Sequence, residues 1–231
     1  MASIKSINAK QKPFVLNTGT LSLFIAMSNS GKTFLQRYLL KQMMATKSFQ
    51  WVYVITPTKF NREWSNVVGD SNVAEEFDED AIEKLLNHLA NVAEKGKQYP
   101  GLLILDDCMG SLDWQSRLIT KLASTGRHFA GLTIWASFQY YYKVPTVMRE
   151  NAAYLVMLNQ VNIKVAKTLL EEKANLDFEN PRELKDYFKR ETENYGAVVI
   201  QTHDRNRPIL TIRAPNPEIK FTIRMKKPKG V

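Results

Sequence analysis

Cysteine is nearly missing from this chain of 231 residues, which carries only Cys108. A lone thiol closes no internal disulfide, so a reducing compartment is expected and Cys108 reads as an ordinary buried thiol. Long apolar runs are missing as well. No stretch is long enough to span a bilayer. The opening Met1-Ala2-Ser3-Ile4-Lys5 lacks the apolar core of a signal peptide. Internal repeats and low-complexity linkers are absent, so the chain reads as one sizeable domain or as a core with a small appendage. Acid is in short supply: Asp and Glu number 23 against 32 Lys and Arg, a net charge of +9. That balance favours a polyanionic partner. No acid stands among Lys220, Arg224, Lys226, Lys227 and Lys229, whereas Glu75, Glu76, Asp78, Glu79 and Asp80 cluster together.

One glycine is missing from an otherwise informative segment. Ala26-Met27-Ser28-Asn29-Ser30-Gly31-Lys32-Thr33 follows the apolar run Leu21-Ser22-Leu23-Phe24-Ile25. It matches the phosphate-loop spacing Gly-x4-Gly-Lys-[Ser/Thr], except that Ala26 stands at the first glycine. Backbone N–H groups of such a loop turn inward around phosphate oxygens. The helix that follows offers its positive end to the same anion. Lys32 is expected to reach the β- and γ-phosphates of a bound nucleotide, with the Thr33 hydroxyl on Mg²⁺. Ser28, Asn29, Ser30, Gly31 and Phe34 complete the expected binding segment. Ala26 raises the question of loop shape, since glycine is needed there if φ is positive or a Cβ would clash. A basic tail beside a nucleotide motif points towards nucleic acid.

The rest of the chain alternates strand and helix. Residues 1–18 read as a leader, 19–160 as an ATPase core, and 161–231 as an extension of the same domain ending in a basic tail. Leu35, Tyr38, Leu39 and Met43 fall at helical spacing. Strands are expected at Trp51–Ile55, Leu102–Leu105, Leu132–Ala136 and Tyr154–Leu158. Ile82, Leu85, Leu86, Leu89 and Val92 share a helical face, with Asp80 and Glu83 as its capping box. A helix is expected over Ser111–Ser124. Later come a helix at Ile163–Leu170, one starting at Asn180-Pro181, and strands at Val198–Ile200, Ile209–Ile212 and Ile219–Ile223. This order predicts an α/β fold: a mostly parallel sheet with helices on both faces. Ligands on such sheets bind beyond the C-terminal strand ends, where Ala26–Thr33 would lie.

Leu102–Leu105 delivers two carboxylates to a strand tip. Asp106 is expected in the Mg²⁺ shell and Asp107 as the general base that polarises the attacking water. Asp107 as a helix cap is the structural alternative. Gln139, after Leu132–Ala136, would sense the γ-phosphate or orient water if its strand lies between the other two. Tyr140-Tyr141-Tyr142-Lys143 mixes aromatics with a cation, fit either to stack on bases or to pack at an interface.

Taken together, these segments resemble a known group. Ser124-Thr125-Gly126-Arg127-His128 before a strand, Gln139 after it, and Val144-Pro145-Thr146-Val147-Met148-Arg149-Glu150-Asn151 look like the poxvirus-type genome-packaging ATPases of the FtsK–HerA superfamily. The resemblance covers roughly 19–160 and implies a P-loop NTPase fold of the RecA/ASCE-like kind. It implies ATP and Mg²⁺ as cofactors, Asp106 on the metal side and Asp107 as the catalytic carboxylate, where the superfamily often has glutamate. Gln139 matches the polar sensor. Arg127 matches an arginine presented in trans to the next protomer's γ-phosphate, with Arg149 as the second candidate and a helix-terminal charge as the alternative for Arg127.

The implied protein is an ATP-driven translocase that packages double-stranded DNA into a viral capsid. Its partners would be DNA, copies of itself in a pentameric or hexameric ring, and capsid or vertex proteins. It would act at virion assembly sites in host cytoplasm or nucleus, and could be virion-associated. Rivals are a conjugation or recombination translocase, a small kinase, and a non-hydrolysing, nucleotide-gated DNA-binding or assembly protein.

Overall fold

The computed structural model describes residues 5–6, 16–159, 162–174, 180–203 and 209–214. The basic tail and the strand expected at Ile219–Ile223 lie outside these residues. Nine strands form one sheet, in the order β1-β9-β8-β7-β2-β6-β5-β3-β4. Its centre is built from the apolar runs: β2 (Leu21–Ile25), β3 (Trp51–Ile55), β5 (Gly101–Leu105), β6 (Leu132–Phe138) and β7 (Ala152–Leu158). These five pair in parallel. Burial on both faces is why they read as continuous hydrophobic segments. Short β4 (Val73–Ala74) adds in parallel to β3. Beyond β7 the direction changes: β8 (Gly196–Gln201) and β9 (Ile209–Arg213) pair antiparallel. At the far edge, β1 (Lys5–Ser6) runs parallel to β9. The leading residues thus reach the sheet, and Leu16 is buried in the core.

Alternation along each strand divides the core in two. Phe24, Val54, Ile104, Trp135 and Val156 face one side, against Leu35, Leu39, Leu40 and Met43 of α1 (Lys32–Ala45). Trp64, Val67 and Val68 fill the same layer, the latter two on α2 (Ser65–Val68). Leu23, Ile55, Leu105, Ile134 and Leu155 face the other side. They meet α3 (Glu79–Glu94), α4 (Arg117–Thr125), α5 (Thr146–Asn151), α6 (Ile163–Ala174) and α7 (Pro181–Thr192). Gly101 is obligatory in this packing, because a Cβ there would stand 1.7 Å from the Trp51 ring.

Two boundaries differ from the expected ones. The cap of α3 is Asp78, whose Oδ1 accepts from Ala81 N at 3.0 Å; Asp80 lies inside the first turn. Extended backbone at Asp78 places its carboxylate over the open N–H groups. The helix expected from Ser111 starts only at Arg117, capped by Ser116. Trp114 explains the delay. Its ring packs on Phe138 with centroids 4.5 Å apart, and its Nε1 donates to Cys108 O, which a helical backbone through 111–116 would not allow. Asn180 caps α7 with Pro181 in the first turn.

Candidate nucleotide site

Parallel register brings three strand tips to one edge of the sheet. Ile25 pairs with Phe138, and Leu105 with Ala136, so β6 lies between the strand before the loop and the strand before the two aspartates. The loop after β2 closes with left-handed residues at Asn29, φ 59°, and Gly31, φ 88°. Gly31 is thereby required, since a side chain at that φ is strained. Ala26 is different. It is not among the positive-φ residues, its N–H donates to Phe138 O at 3.0 Å, and its methyl is fully buried in the core. The missing glycine therefore costs the turn nothing: the chain leaves β2 still extended and bends only after Met27.

α1 begins at Lys32 with no side-chain cap and no acid in its first turn. Its free N–H groups and positive end are left to an anion. Ser30 Oγ, within the loop, is buried without a protein partner. Lys32 folds back to donate from Nζ to Ala26 O at 2.7 Å and Met27 O at 3.0 Å. An ammonium has three donors, so one remains. Burial holds the Lys32 pKa below the usual lysine value, and the charges of Asp106 and Asp107 partly offset this.

Asp106 is the most heavily bonded side chain of the site. Its Oδ2 accepts from Thr33 Oγ1 at 2.9 Å and from Trp64 Nε1 at 2.7 Å; its Oδ1 accepts from Ser137 Oγ at 2.8 Å. It is 3% exposed. Asp107 is turned the other way by a left-handed backbone, φ 57°, and is exposed. Gln139 Nε2 donates to Asp107 Oδ1 at 3.2 Å. Asp107 caps no helix through its side chain. Cys108 packs beneath, its thiol donating to Ile55 O, and burial next to two carboxylates pushes its pKa up to about 12.

These groups surround a cavity of about 530 Å³, lined by Ser28 to Phe34 together with Asp106 and Asp107. Arg37, Thr58, Asn61, Glu63 and Tyr195 complete its wall. The loop residues Ser28, Asn29, Ser30, Gly31, Lys32, Thr33 and Phe34 are thus brought together with both aspartates and, through Asp107, Gln139. Sequence reasoning missed Trp64, Arg37, Glu63 and Tyr195. The turn at Thr56-Pro57 was a usable signal for the segment holding Trp64 and Glu63, because it ends β3 at the ligand edge. Nothing local marked Tyr195.

Arg127 lies elsewhere. It is exposed, its Nε donates to His128 Nε2 at 3.2 Å, and it borders a small cavity of about 80 Å³ with Leu21 and Leu132, the first residues of β2 and β6. That is the edge opposite its own phosphate loop, a strand length of roughly 15 Å away. Arg149 is held within its own chain, bonded to Thr146 Oγ1 at 3.0 Å and stacked on Tyr141 at 5.5 Å. Tyr142 is exposed, with Lys143 Nζ 5.9 Å from its ring centroid.

A family model described as Poxvirus A32 protein matches residues 10–190. Among solved structures, the DNA-packaging ATPase B204 from Sulfolobus Turreted Icosahedral Virus aligns with a TM-score of 0.57 and 16% identity, over 87% of this chain and 100% of that one. The genome packaging NTPase B204 from Sulfolobus turreted icosahedral virus 2, in complex with AMPPCP, gives 0.58 and 15%, again over 87% and 100%. The pCW3 conjugation coupling protein TcpA, in a monomer form with ATPgS, gives 0.56 and 15%, over 86% of this chain and 60% of that one. No curated protein sequence is significantly similar. These likenesses establish the P-loop NTPase fold.

Proposed function

The chain belongs to the poxvirus A32 protein family, and from that premise we propose that it is an ATPase that drives double-stranded DNA into a viral capsid. The observation that carries the reading is the bond from Thr33 to Asp106, which joins the phosphate loop to the carboxylate strand at one cavity. Open helix N–H groups, the unpartnered Ser30 hydroxyl and the ammonium of Lys32 suit a triphosphate. Thr33 and Asp106 supply hard oxygen donors fit to hold Mg²⁺. The ion's contribution is to neutralise charge on phosphate oxygens.

Asp107 is the general base. It is exposed beside the loop, and its carboxylate takes a proton from water while Gln139, bonded to its Oδ1, fixes its orientation. Asp106 cannot share that task, because its oxygens are committed to Thr33, Trp64 and Ser137. Arg127 acts in trans. It lies at the edge away from its own loop, so a ring of copies is needed to bring it to a neighbour's γ-phosphate, where it offsets developing charge. Contacts to DNA are to phosphate, independent of sequence and strongly salt-dependent. Capsid or vertex proteins are the remaining partners, at virion assembly sites in the infected cell's cytoplasm or nucleus. No helix among the described residues is long and apolar enough to cross a membrane.

A second reading is a conjugation-type translocase, favoured by the likeness to TcpA over 86% of this chain. Both readings share the ATPase chemistry. The test is ATP turnover by purified protein with and without double-stranded DNA, across protein concentration. Turnover that rises with DNA and with concentration, and that Lys32→Ala abolishes, is the expected result. Turnover unchanged in Lys32→Ala overturns the site, and nucleotide binding without turnover under ring-forming conditions overturns the enzyme.

A further inference from the structure

We propose that Tyr195 is the nucleobase platform of the site, a stacking surface delivered by the turn between α7 and β8. The inference rests on the reading of the cavity as an ATP site and deepens it. Tyr195 lies beyond residues 10–190 that the family model matches. It nevertheless lines the same cavity as the phosphate loop.

The fold delivers it there. Ile25 pairs with Met157 on parallel β7, and Leu158 pairs with Ala197 on antiparallel β8. The reversal of β8 brings its first residues, not its last, to the edge where the loop begins. Two successive residues of that turn are left-handed, Asn194 at φ 50° and Tyr195 at φ 59°. An aromatic residue held there costs on the order of 1 kcal/mol, and such strain persists where surrounding structure fixes it. Here the next residue, Gly196, fixes it: a Cβ at Gly196 would stand 2.2 Å from Glu191 O, so the turn is pressed against the end of α7.

The side chain is fixed as well. Its ring meets Phe34 edge to face, with centroids 5.1 Å apart. Its Cδ1 lies 2.9 Å from where a Cβ of Gly31 would be. A ring clamped against the loop would be buried if packing were its whole purpose, yet Tyr195 remains 42% exposed. An aromatic surface next to the phosphate cradle, rigid and open on the cavity, suits the flat face of a purine. Phe34 supports the ring from beneath, so the pair forms a two-layer platform from opposite ends of the chain.

The experiment compares binding of ATP and of inorganic tripolyphosphate by calorimetry, using the full chain. Tyr195→Asn removes the ring and keeps a residue that tolerates a left-handed backbone; Tyr195→Phe keeps the ring. Expected are ATP affinity about tenfold weaker in Tyr195→Asn, near wild type in Tyr195→Phe, and tripolyphosphate affinity unchanged in both. Equal ATP affinity in Tyr195→Asn and wild type overturns the proposal while leaving the ATP site standing. A parallel loss of tripolyphosphate in Tyr195→Asn also overturns it, since the ring would then only shape the loop. Wild-type protein that binds neither ligand overturns the ATP site and this proposal together.

Discussion

Thr33 Oγ1 donates to Asp106 Oδ2 at 2.9 Å, although the two residues stand 73 positions apart. Their strands are not neighbours. β6 lies between them and contributes Ser137, which bonds the other oxygen of the same carboxylate. Trp64, from the segment after β3, adds the fourth member. Asp106 is therefore the point at which four segments of the chain are tied, and its geometry is set by donors from three of them.

Removing one donor should be felt mainly as lost stability. Trp64→Phe deletes a bond to a buried charge and part of a fully packed ring, which together cost about 2 kcal/mol. Urea unfolding would read this as a lower midpoint. An unchanged midpoint would show that the indole bond contributes nothing net.

Ala26→Gly restores the phosphate-loop pattern but should not improve the protein. The Ala26 methyl is buried and its backbone needs no glycine. Glycine there loses buried carbon and adds freedom to the unfolded chain, a cost of about 1 kcal/mol. We expect a lower melting temperature and an unchanged KM for ATP. A lower KM would mean that the methyl does distort the loop.

Arg127→Ala should leave ATP binding intact and lower turnover by about a thousandfold, as loss of an arginine finger does. Its place at the opposite edge from its own loop gives a sharper check. Mixed with Lys32→Ala, it should regain part of the activity that each lacks alone, because some boundaries would then pair an intact loop with an intact arginine. No recovery on mixing would remove the trans assignment.

Cys108 should be inert to thiol reagents in the native protein and react fully after unfolding in urea. Its folded pKa is raised to about 12 from 9.0, chiefly by burial. The sign follows from proton linkage. Below pH 9 the thiol is protonated in both states and its contribution is fully present. Above that, the unfolded chain releases the proton first, so stability falls as pH rises towards 12. Thermal melts from pH 8 to 10 should show this decline beginning near pH 9, and Cys108→Ala should remove its early part.

Much of the site was legible because its chemistry is local. Ser28 to Thr33 is a contiguous loop, and Asp106 with Asp107 end one buried run. Hydrophobic periodicity also placed β2, β3, β5, β6 and β7 nearly to the residue, since strands buried on both faces leave an unbroken apolar signal. Boundaries governed by distant packing were not legible. Ser111 to Ser116 has helix-compatible residues, but Trp114 is drawn out to Phe138 and Cys108. Asp78 and Asp80 are equally able caps in isolation, and only the extended backbone at Asp78 decides between them.

The sequence by itself determined the nature of the chemistry: a lysine and a hydroxyl behind a turning loop, two carboxylates at a strand tip, and a glutamine after a third strand. Short-range spacing carries that information, because each motif is held by its own strand and turn. Only the tertiary structure decided which groups meet. It put β6 between the other two tips, so that Gln139 reaches Asp107 and Ser137 reaches Asp106. It sent Arg127 to the far edge, and, by reversing β8, it carried Tyr195 to the phosphate loop. Strand order and direction arise from the packing of the whole sheet, and no local stretch of residues specifies them.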